Sequence, residues 1–139
     1  MTQEDKQLLL KDLCARLPYG VKILYEGWDS DRGCDYELVE DFVGMDDSFI
    51  YTTWRGERKK HSTNHMESIK LYLRPMSSLT DEELPKYLET VEWKYVGHGD
   101  KASYDTLDTF DWFTEHHFDY RGLIEKGLAL EAPDGMYNV

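Results

Sequence analysis

Two pairs of histidines come closest to a catalytic or metal-binding pattern in this chain. His61 and His65 are four residues apart, the spacing that places two imidazoles on one helical face as metal ligands. The serine, threonine and asparagine between them favour a loop, and no acidic residue there can act as a general base. The pattern therefore predicts loop histidines that bind nothing.

The second pair, His116 and His117, is followed by Asp119. These residues can supply metal ligands, or a general base that is oriented by a carboxylate. Adjacent residues on a helix point about 100° apart, so we expect one imidazole to pack against the core and the other to face solvent. A metal-dependent hydrolase that uses both pairs stays an alternative function.

One basic cluster follows a tryptophan in the middle of the chain. Such a cluster can contact an acidic protein or a nucleic-acid backbone, or it can be a solvated loop between two strands. Together with a second tryptophan in an earlier turn, it forms the predicted partner-binding surface. The members are Trp28, Trp54, Arg55, Arg58, Lys59 and Lys60.

Acidic residues recur at helical spacing near the C-terminus, at Asp105, Asp108, Asp111 and Glu115. Carboxylates at this spacing line one side of a helix. They can chelate a hard cation, imitate the phosphates of a duplex, or form the solvated face of an amphipathic helix. The solvated face is the default, and the mimic is an alternative because the whole chain is acidic.

Charge is distributed unevenly along the 139 residues, whose net charge is −12. Residues 1–54 and 80–139 carry −7 and −9, whereas residues 55–79 carry +4. The total disfavours direct binding to nucleic acid or to anionic lipid, since both are negative. A partner is therefore predicted to be another protein.

Elements that position these residues can be predicted from the hydrophobic pattern. Leu9, Leu13 and Leu17 recur every four residues and predict an amphipathic helix over 2–17, with Thr2 and Asp5 as a capping pair. Short β-branched and aromatic segments then predict four strands, and a polar stretch predicts a loop before the fourth. The strands are 21–26, 36–43, 49–54 and 68–73, and the loop is 55–64.

Residues after 77 are predicted to be mainly helical. Thr80 and Glu83 have the spacing of a capping box, and Pro85 predicts a distorted first turn or a later helix start. A strand is predicted over 91–96. A helix over 105–118 is predicted to bury Leu107 and Phe110 among its apolar residues.

Composition excludes several classes of protein. With 40% hydrophobic and 14% aromatic residues, the chain is expected to fold as one domain, residues 1–139, and no apolar run is long enough for a membrane span. Cys14 and Cys34 are predicted to be free thiols of a cytoplasmic protein. No phosphate-binding glycine loop, GxSxG, CxxC or HExxH is present, so no catalytic residue, metal ligand or cofactor is assigned.

Three segments carry a resemblance to a known family. They are KDLCARLPYGV at 11–21, YLRPMSSLT at 72–80 and FDYRGLIEKGLALEAP at 118–133. With these segments the chain resembles a family of uncharacterised proteins encoded by Bacteroides-type gut bacteria and by their phages and mobile elements. The resemblance implies an accessory protein and supplies no catalytic residues.

The sequence thus predicts an α+β fold. A small antiparallel bent sheet, or a barrel of the Src-homology-three type, is expected over about 20–74, with an N-terminal helix and a mainly helical C-terminal part. The leading hypothesis is a non-enzymatic binding protein of phage or mobile-element origin. The alternatives are an acidic nucleic-acid mimic that inhibits a host defence protein, and the metal-dependent hydrolase.

Overall fold

In the computed structural model, which describes residues 1–137, the chain begins with helix α1 (Gln3–Arg16). The Thr2 hydroxyl accepts the backbone N–H of Asp5 at 3.0 Å, and the Asp5 carboxylate accepts the backbone N–H of Thr2. The predicted capping pair is therefore confirmed. Leu9 and Leu13 are wholly buried, so α1 packs its apolar stripe on the core.

A six-stranded sheet forms the centre of the fold, and the predicted α+β class with an N-terminal helix is confirmed. Its strands are β1 (Lys22–Asp29), β2 (Cys34–Met45), β3 (Phe49–Trp54), β4 (Glu57–Ser62), β5 (Ile69–Leu73) and β8 (Ala129–Glu131), while β6 (Glu92–Gly97) and β7 (Asp100–Tyr104) form a separate hairpin. The strand order is β4-β3-β2-β1-β5-β8. All neighbours are antiparallel except β5 and β8. Within residues 1–137, β4 and β8 are the two edges, so the sheet is open.

Strong curvature brings distant strands of this sheet together. Neighbouring strands lie about 4.8 Å apart, so β1 and β4, three strands apart, would be separated by about 14 Å on a flat sheet. The rings of Tyr25 on β1 and His61 on β4 nevertheless stack at a centroid distance of 4.1 Å. The face that carries these rings is therefore concave.

The concave face holds the core. Its strands contribute Ile23, Phe42, Ile50 and Leu71, which pack with the leucines of α1 and with apolar residues from the C-terminal segment. Successive residues of a strand point to opposite faces. The opposite, convex face therefore carries Lys22 and Thr53, which both pair with Asp41 of β2.

The prediction of a loop over residues 55–64 is wrong for most of that segment. It contains the strand β4, which pairs with β3 over its whole length from Glu57 to Ser62. Arg55 and Gly56 form the two-residue turn between the strands with φ of 50° and 81°, the left-handed values that a type I′ hairpin turn requires. The basic cluster therefore lies on an edge strand and its turn.

The prediction of a mainly helical C-terminal part is also wrong. This part contains two short helices, α2 (Leu84–Leu88) and α3 (Leu107–Glu115). Between them lies a separate hairpin of β6 (Glu92–Gly97) and β7 (Asp100–Tyr104), and Leu107, predicted to be buried, is 84% exposed. The late start of α2 just before Pro85 agrees with the prediction.

No helix within residues 1–137 is both long and apolar enough to cross a membrane.

A buried ion cluster joins α1 to the C-terminal segment. Arg16 donates through Nε to Asp12 at 2.7 Å and through Nη2 to the carbonyl of Phe118 at 2.7 Å. The side chains of Arg16 and Asp12 are fully buried. Arg121 donates through Nε to the other oxygen of Asp12 at 3.1 Å. Two guanidinium groups from opposite ends of the chain therefore share one carboxylate.

A second ion pair anchors the segment that follows β5. Arg74 donates to both oxygens of Glu83, at 2.8 and 2.6 Å. These hydrogen bonds, against the opposing effect of burial, lower the pKa of Glu83 to about 2. Thr80 and Glu83 form the predicted reciprocal capping contacts, and the guanidinium of Arg74 lies over the ring of Phe118.

Replacing Asp12 by alanine is expected to lower the free energy of unfolding by about 3–5 kcal/mol, because Arg16 would remain buried without its partner. The matched control is Asp41→Ala, which breaks the exposed pair with Lys22 and should cost about 1 kcal/mol or less. Urea unfolding of both variants gives the comparison. Equal, small losses would contradict a structural role for the cluster.

Candidate functional site

The basic cluster divides between the two faces of β4. Arg58 and Lys60 are exposed and pair across the strands with Thr53 and Tyr51, so they lie on the convex face. Lys59 points to the concave side, where its Nζ lies 3.7 Å from Oε2 of the buried Glu40. Arg58 and Lys60 are therefore the cations that a partner can reach from the strand.

Aromatic rings hold three of the basic side chains. The guanidinium of Arg55 lies 4.8 Å from the ring centre of Trp54, and the ammonium of Lys59 lies 5.4 Å from the same ring. Lys60 sits 4.5 Å from the ring centre of Phe49. Cation–π contacts restrict these long side chains. We name Arg55, Arg58, Lys59 and Lys60, with the strand β4, the basic edge.

A shallow hollow of about 340 Å³ lies on the sheet beside the basic edge. A β-bulge between Phe42 and Gly44 produces a local irregularity in β2 there. Val43 is half exposed and lines the hollow together with Tyr51 and Arg58. The basic edge is therefore adjoined by a recess that can receive a side chain.

Trp28, predicted to belong to the same surface, lies elsewhere. It is 62% exposed and pairs with Asp35 near the far end of β2. Thr53, the neighbour of Trp54, pairs with Asp41. Trp54 therefore lies level with residue 40 of β2, five residues from Asp35, which corresponds to about 16 Å along the strand. The structure does not bring the two tryptophans together.

A buried polar cluster lies behind the basic edge. His61 Nε2 lies 2.7 Å from Oε1 of Glu40, and the Thr52 hydroxyl donates to the same oxygen at 2.8 Å. A histidine oriented by a carboxylate has the geometry of a general base. Glu40 and Thr52 are buried, however, and His61 is covered by the ring of Tyr25. Burial and the neighbouring Tyr36 raise the pKa of Tyr25.

The four histidines of the hydrolase hypothesis have different surroundings. His65 is exposed near Glu67, while the ring of His116 stacks on Trp112 and its Nδ1 lies 2.9 Å from the Trp112 carbonyl. His117 stacks on Tyr137. We expected one of His116 and His117 to pack against the core and the other to face solvent, but both are partly buried. No group of three or more metal-ligating side chains occurs within the described part of the chain.

The predicted acidic face is exposed throughout. Asp108, Asp111 and Glu115 lie on α3, whereas Asp105 precedes the helix and accepts the hydroxyl of Tyr87 at 2.9 Å. Among residues 1–137, none of the four is within 4.0 Å of a basic side chain. Their charges are therefore not neutralised by a neighbouring cation.

The hairpin β6–β7 is an exposed surface that was not predicted from the sequence. Trp93, Tyr95 and Tyr104 are exposed on it, and the whole of β6 is exposed. Lys94 and Lys101 lie over the rings of Tyr104 and Tyr95. The predicted strand over 91–96 was the available signal, but its second strand is polar and carries little hydrophobic alternation.

Comparisons with models of protein families, with curated proteins and with solved structures gave no match to this chain. Any proposal for its function therefore depends on the residues described above.

His117 provides a test of the pH dependence of stability. Burial, followed by the charge of Arg16, lowers the pKa of this imidazole to about 4, whereas an unfolded histidine has a pKa near 6.5. Between these values the unfolded chain binds more protons than the folded chain, so stability falls as the pH falls. Because the imidazole is only partly buried, solvent screening reduces this effect, and we expect a loss from His117 of about 1 kcal/mol between pH 7 and pH 5.

His117→Phe keeps an aromatic ring against Tyr137 and removes the titrating group, so it should flatten this pH dependence. His65→Gln, a change at an exposed histidine, should leave it unaltered. Urea unfolding at several pH values measures both. A His117→Phe variant with the wild-type slope would assign the pH dependence to other groups.

Proposed function

We propose that this chain is a non-enzymatic binding protein that captures an acidic, extended segment of another protein along the basic edge. The observation that supports this most directly is the position of Arg58 and Lys60 on an edge strand, with exposed side chains beside an open hollow. An edge strand can accept a further strand through its backbone. Side-chain pockets and charges then select the partner.

Like charges argue against a second copy of β4 as the occupant. Antiparallel pairing of two such edges would place Arg58, Lys59 and Lys60 against the same residues of the other copy. An acidic strand removes this repulsion. The same lysines therefore oppose self-association and favour an oppositely charged partner.

The charge of the whole chain supports a protein partner over a nucleic acid. Residues 55–60 contain four basic side chains and one acidic one, but the net charge of −12 repels a polyanion of extended length. A short acidic segment contacts only the local positive field, because charges beyond about 8–10 Å are screened at physiological salt.

The cellular context is part of the same proposal. The three family-like segments support a cytoplasmic accessory protein of phage or mobile-element origin. The meander β1–β4, which curls until Tyr25 and His61 stack, supports a small bent sheet, left open at β4, as the binding scaffold.

Reversing two charges tests the basic edge. The double variant Arg58→Glu with Lys60→Glu is expected to weaken binding of a fluorescent peptide that alternates glutamate and threonine by about tenfold or more. Anisotropy at increasing salt measures the affinity, which should also fall with salt for the wild type. Lys59 is left unchanged because its contact with Glu40 is structural.

The matched control is Lys94→Glu with Lys101→Glu, which makes the same change in net charge on the exposed hairpin β6–β7. It should bind the peptide nearly as well as the wild type, and both variants should keep the wild-type unfolding midpoint. Equal losses in the two double variants would reduce the effect to net charge. Tighter binding of single-stranded DNA than of the peptide would replace the protein partner with a nucleic acid.

A second candidate function, a nucleic-acid mimic that inhibits a basic host protein, is supported by the unpaired carboxylates of α3. Asp108→Lys with Asp111→Lys should abolish salt-sensitive binding to a basic DNA-binding protein that duplex DNA competes away. The control is Asp81→Lys with Glu82→Lys, two exposed acidic residues outside the stripe. Pull-down with and without competitor DNA measures this binding. Equal effects of the two double variants would reject the acidic face as a binding site.

A further inference from the structure

A groove between α1 and α3 has a volume of about 580 Å³, within the range of pockets that hold small molecules. It lies away from the basic edge, on the side of the fold where the N-terminal helix meets the C-terminal segment. Its apolar lining includes Ala15 of α1, Leu107 and Phe110 of α3, and the ring of Tyr120. The groove therefore presents an apolar surface that a ligand can cover.

A positive side chain of the groove wall connects the groove to the buried ion cluster. Arg121 lines the groove and shares the carboxylate of Asp12 with Arg16. Within the described part of the chain, this carboxylate is the only one within 4.0 Å of either guanidinium. One negative charge thus faces two positive ones in a largely buried setting, and Nη1 of Arg16 has no hydrogen-bond partner among residues 1–137.

The side chain of Arg121 is held in place. Its Nε donates to Asp12, its Nη2 donates to the Tyr120 hydroxyl at 3.2 Å, and its guanidinium lies 5.0 Å from the centre of that ring. A planar guanidinium that is already fixed loses little conformational entropy when it binds an anion. Lys11 adds a second cation to the α1 side of the groove, and Asp111 is the one carboxylate that lines it, from α3.

Apolar exposure supports an occupant that is not purely ionic. Leu107 is the most exposed large hydrophobic residue of the described chain, and Phe110 is also exposed. Both line the groove, where an apolar ligand would cover them and gain about 25 cal/mol for each Å² removed from water.

We propose that the groove binds a small amphipathic carboxylate, with its apolar body against Phe110 and Leu107 and its carboxylate toward Arg121 and Lys11. Charge complementarity selects this occupant. A neutral or cationic molecule with the same apolar body would leave the shared carboxylate of Asp12 as the only counter-ion of Arg121 and Arg16.

The test is a titration of the full chain, labelled with ¹⁵N, with octanoate, octanol and octylamine. Octanoate should shift the amide signals of α3 and of residues 118–122 in a saturable manner. Octanol should bind about tenfold more weakly, since its neutral hydroxyl cannot form an ion pair with Arg121 or Lys11, and octylamine should bind more weakly still. Equal affinity for the three probes, or no saturable shift with octanoate, would overturn the proposal.

Two variants localise the site without removing the buried cluster. Ala15→Leu adds three carbons to the groove wall and keeps every charge, so it should weaken octanoate binding several-fold, and Lys11→Gln should also reduce the affinity several-fold. Cys14→Leu, a neighbouring exposed position of α1 that does not line the groove, is the control. Wild-type affinity for octanoate in a folded Ala15→Leu variant would place the ligand elsewhere. A peptide segment that displaces octanoate and binds more tightly would replace the small molecule with a protein partner.

Discussion

The salt bridge between Asp12 and Arg16 is the interaction on which the rest of the fold depends. Arg16 reaches from α1 to the carbonyl of Phe118, across 102 residues of sequence, and Arg121 returns to the same carboxylate. Phe118 is in turn covered by the guanidinium of Arg74, whose partner Glu83 directly precedes α2. The N-terminal helix, the sheet and the C-terminal segment therefore meet at connected ion pairs. Buried charges of this kind contribute specificity of arrangement, because only one geometry satisfies them.

The local elements with an apolar period could be predicted from the sequence. The helix capped by Thr2 and the strands around Ile23 and Ile50 form where the hydrophobic pattern indicates them, because burial on one face determines both the period and the register. The strand β4 has no such pattern. Its conformation comes from pairing with β3 across the Arg55–Gly56 turn, whose left-handed backbone is seen only in the structure. Composition alone therefore predicts a loop where a charged edge strand forms.

The candidate sites divide along the same line. The basic cluster could be located from its residues, but their division between two faces follows from the strand register, which separates Lys59 from Arg58 and Lys60. Trp28 and Trp54 looked equivalent in the sequence, and the offset between β1 and β3 along β2 separates them. The groove could not have been predicted, because Lys11 and Arg121 lie at opposite ends of the chain and are brought together by the contact with Asp12.

The acidity of the chain also has a more specific distribution than its sequence blocks indicate. The C-terminal block is strongly acidic, yet Arg121 within it lines the groove together with Lys11. Asp111 of α3 lines the same groove, so an anion bound there lies near one carboxylate as well as the guanidinium of Arg121. An anion at β4 meets Arg58 and Lys60 on an exposed strand. Because salt screens the exposed edge more than the partly buried cluster, binding at β4 should depend more strongly on ionic strength than binding in the groove.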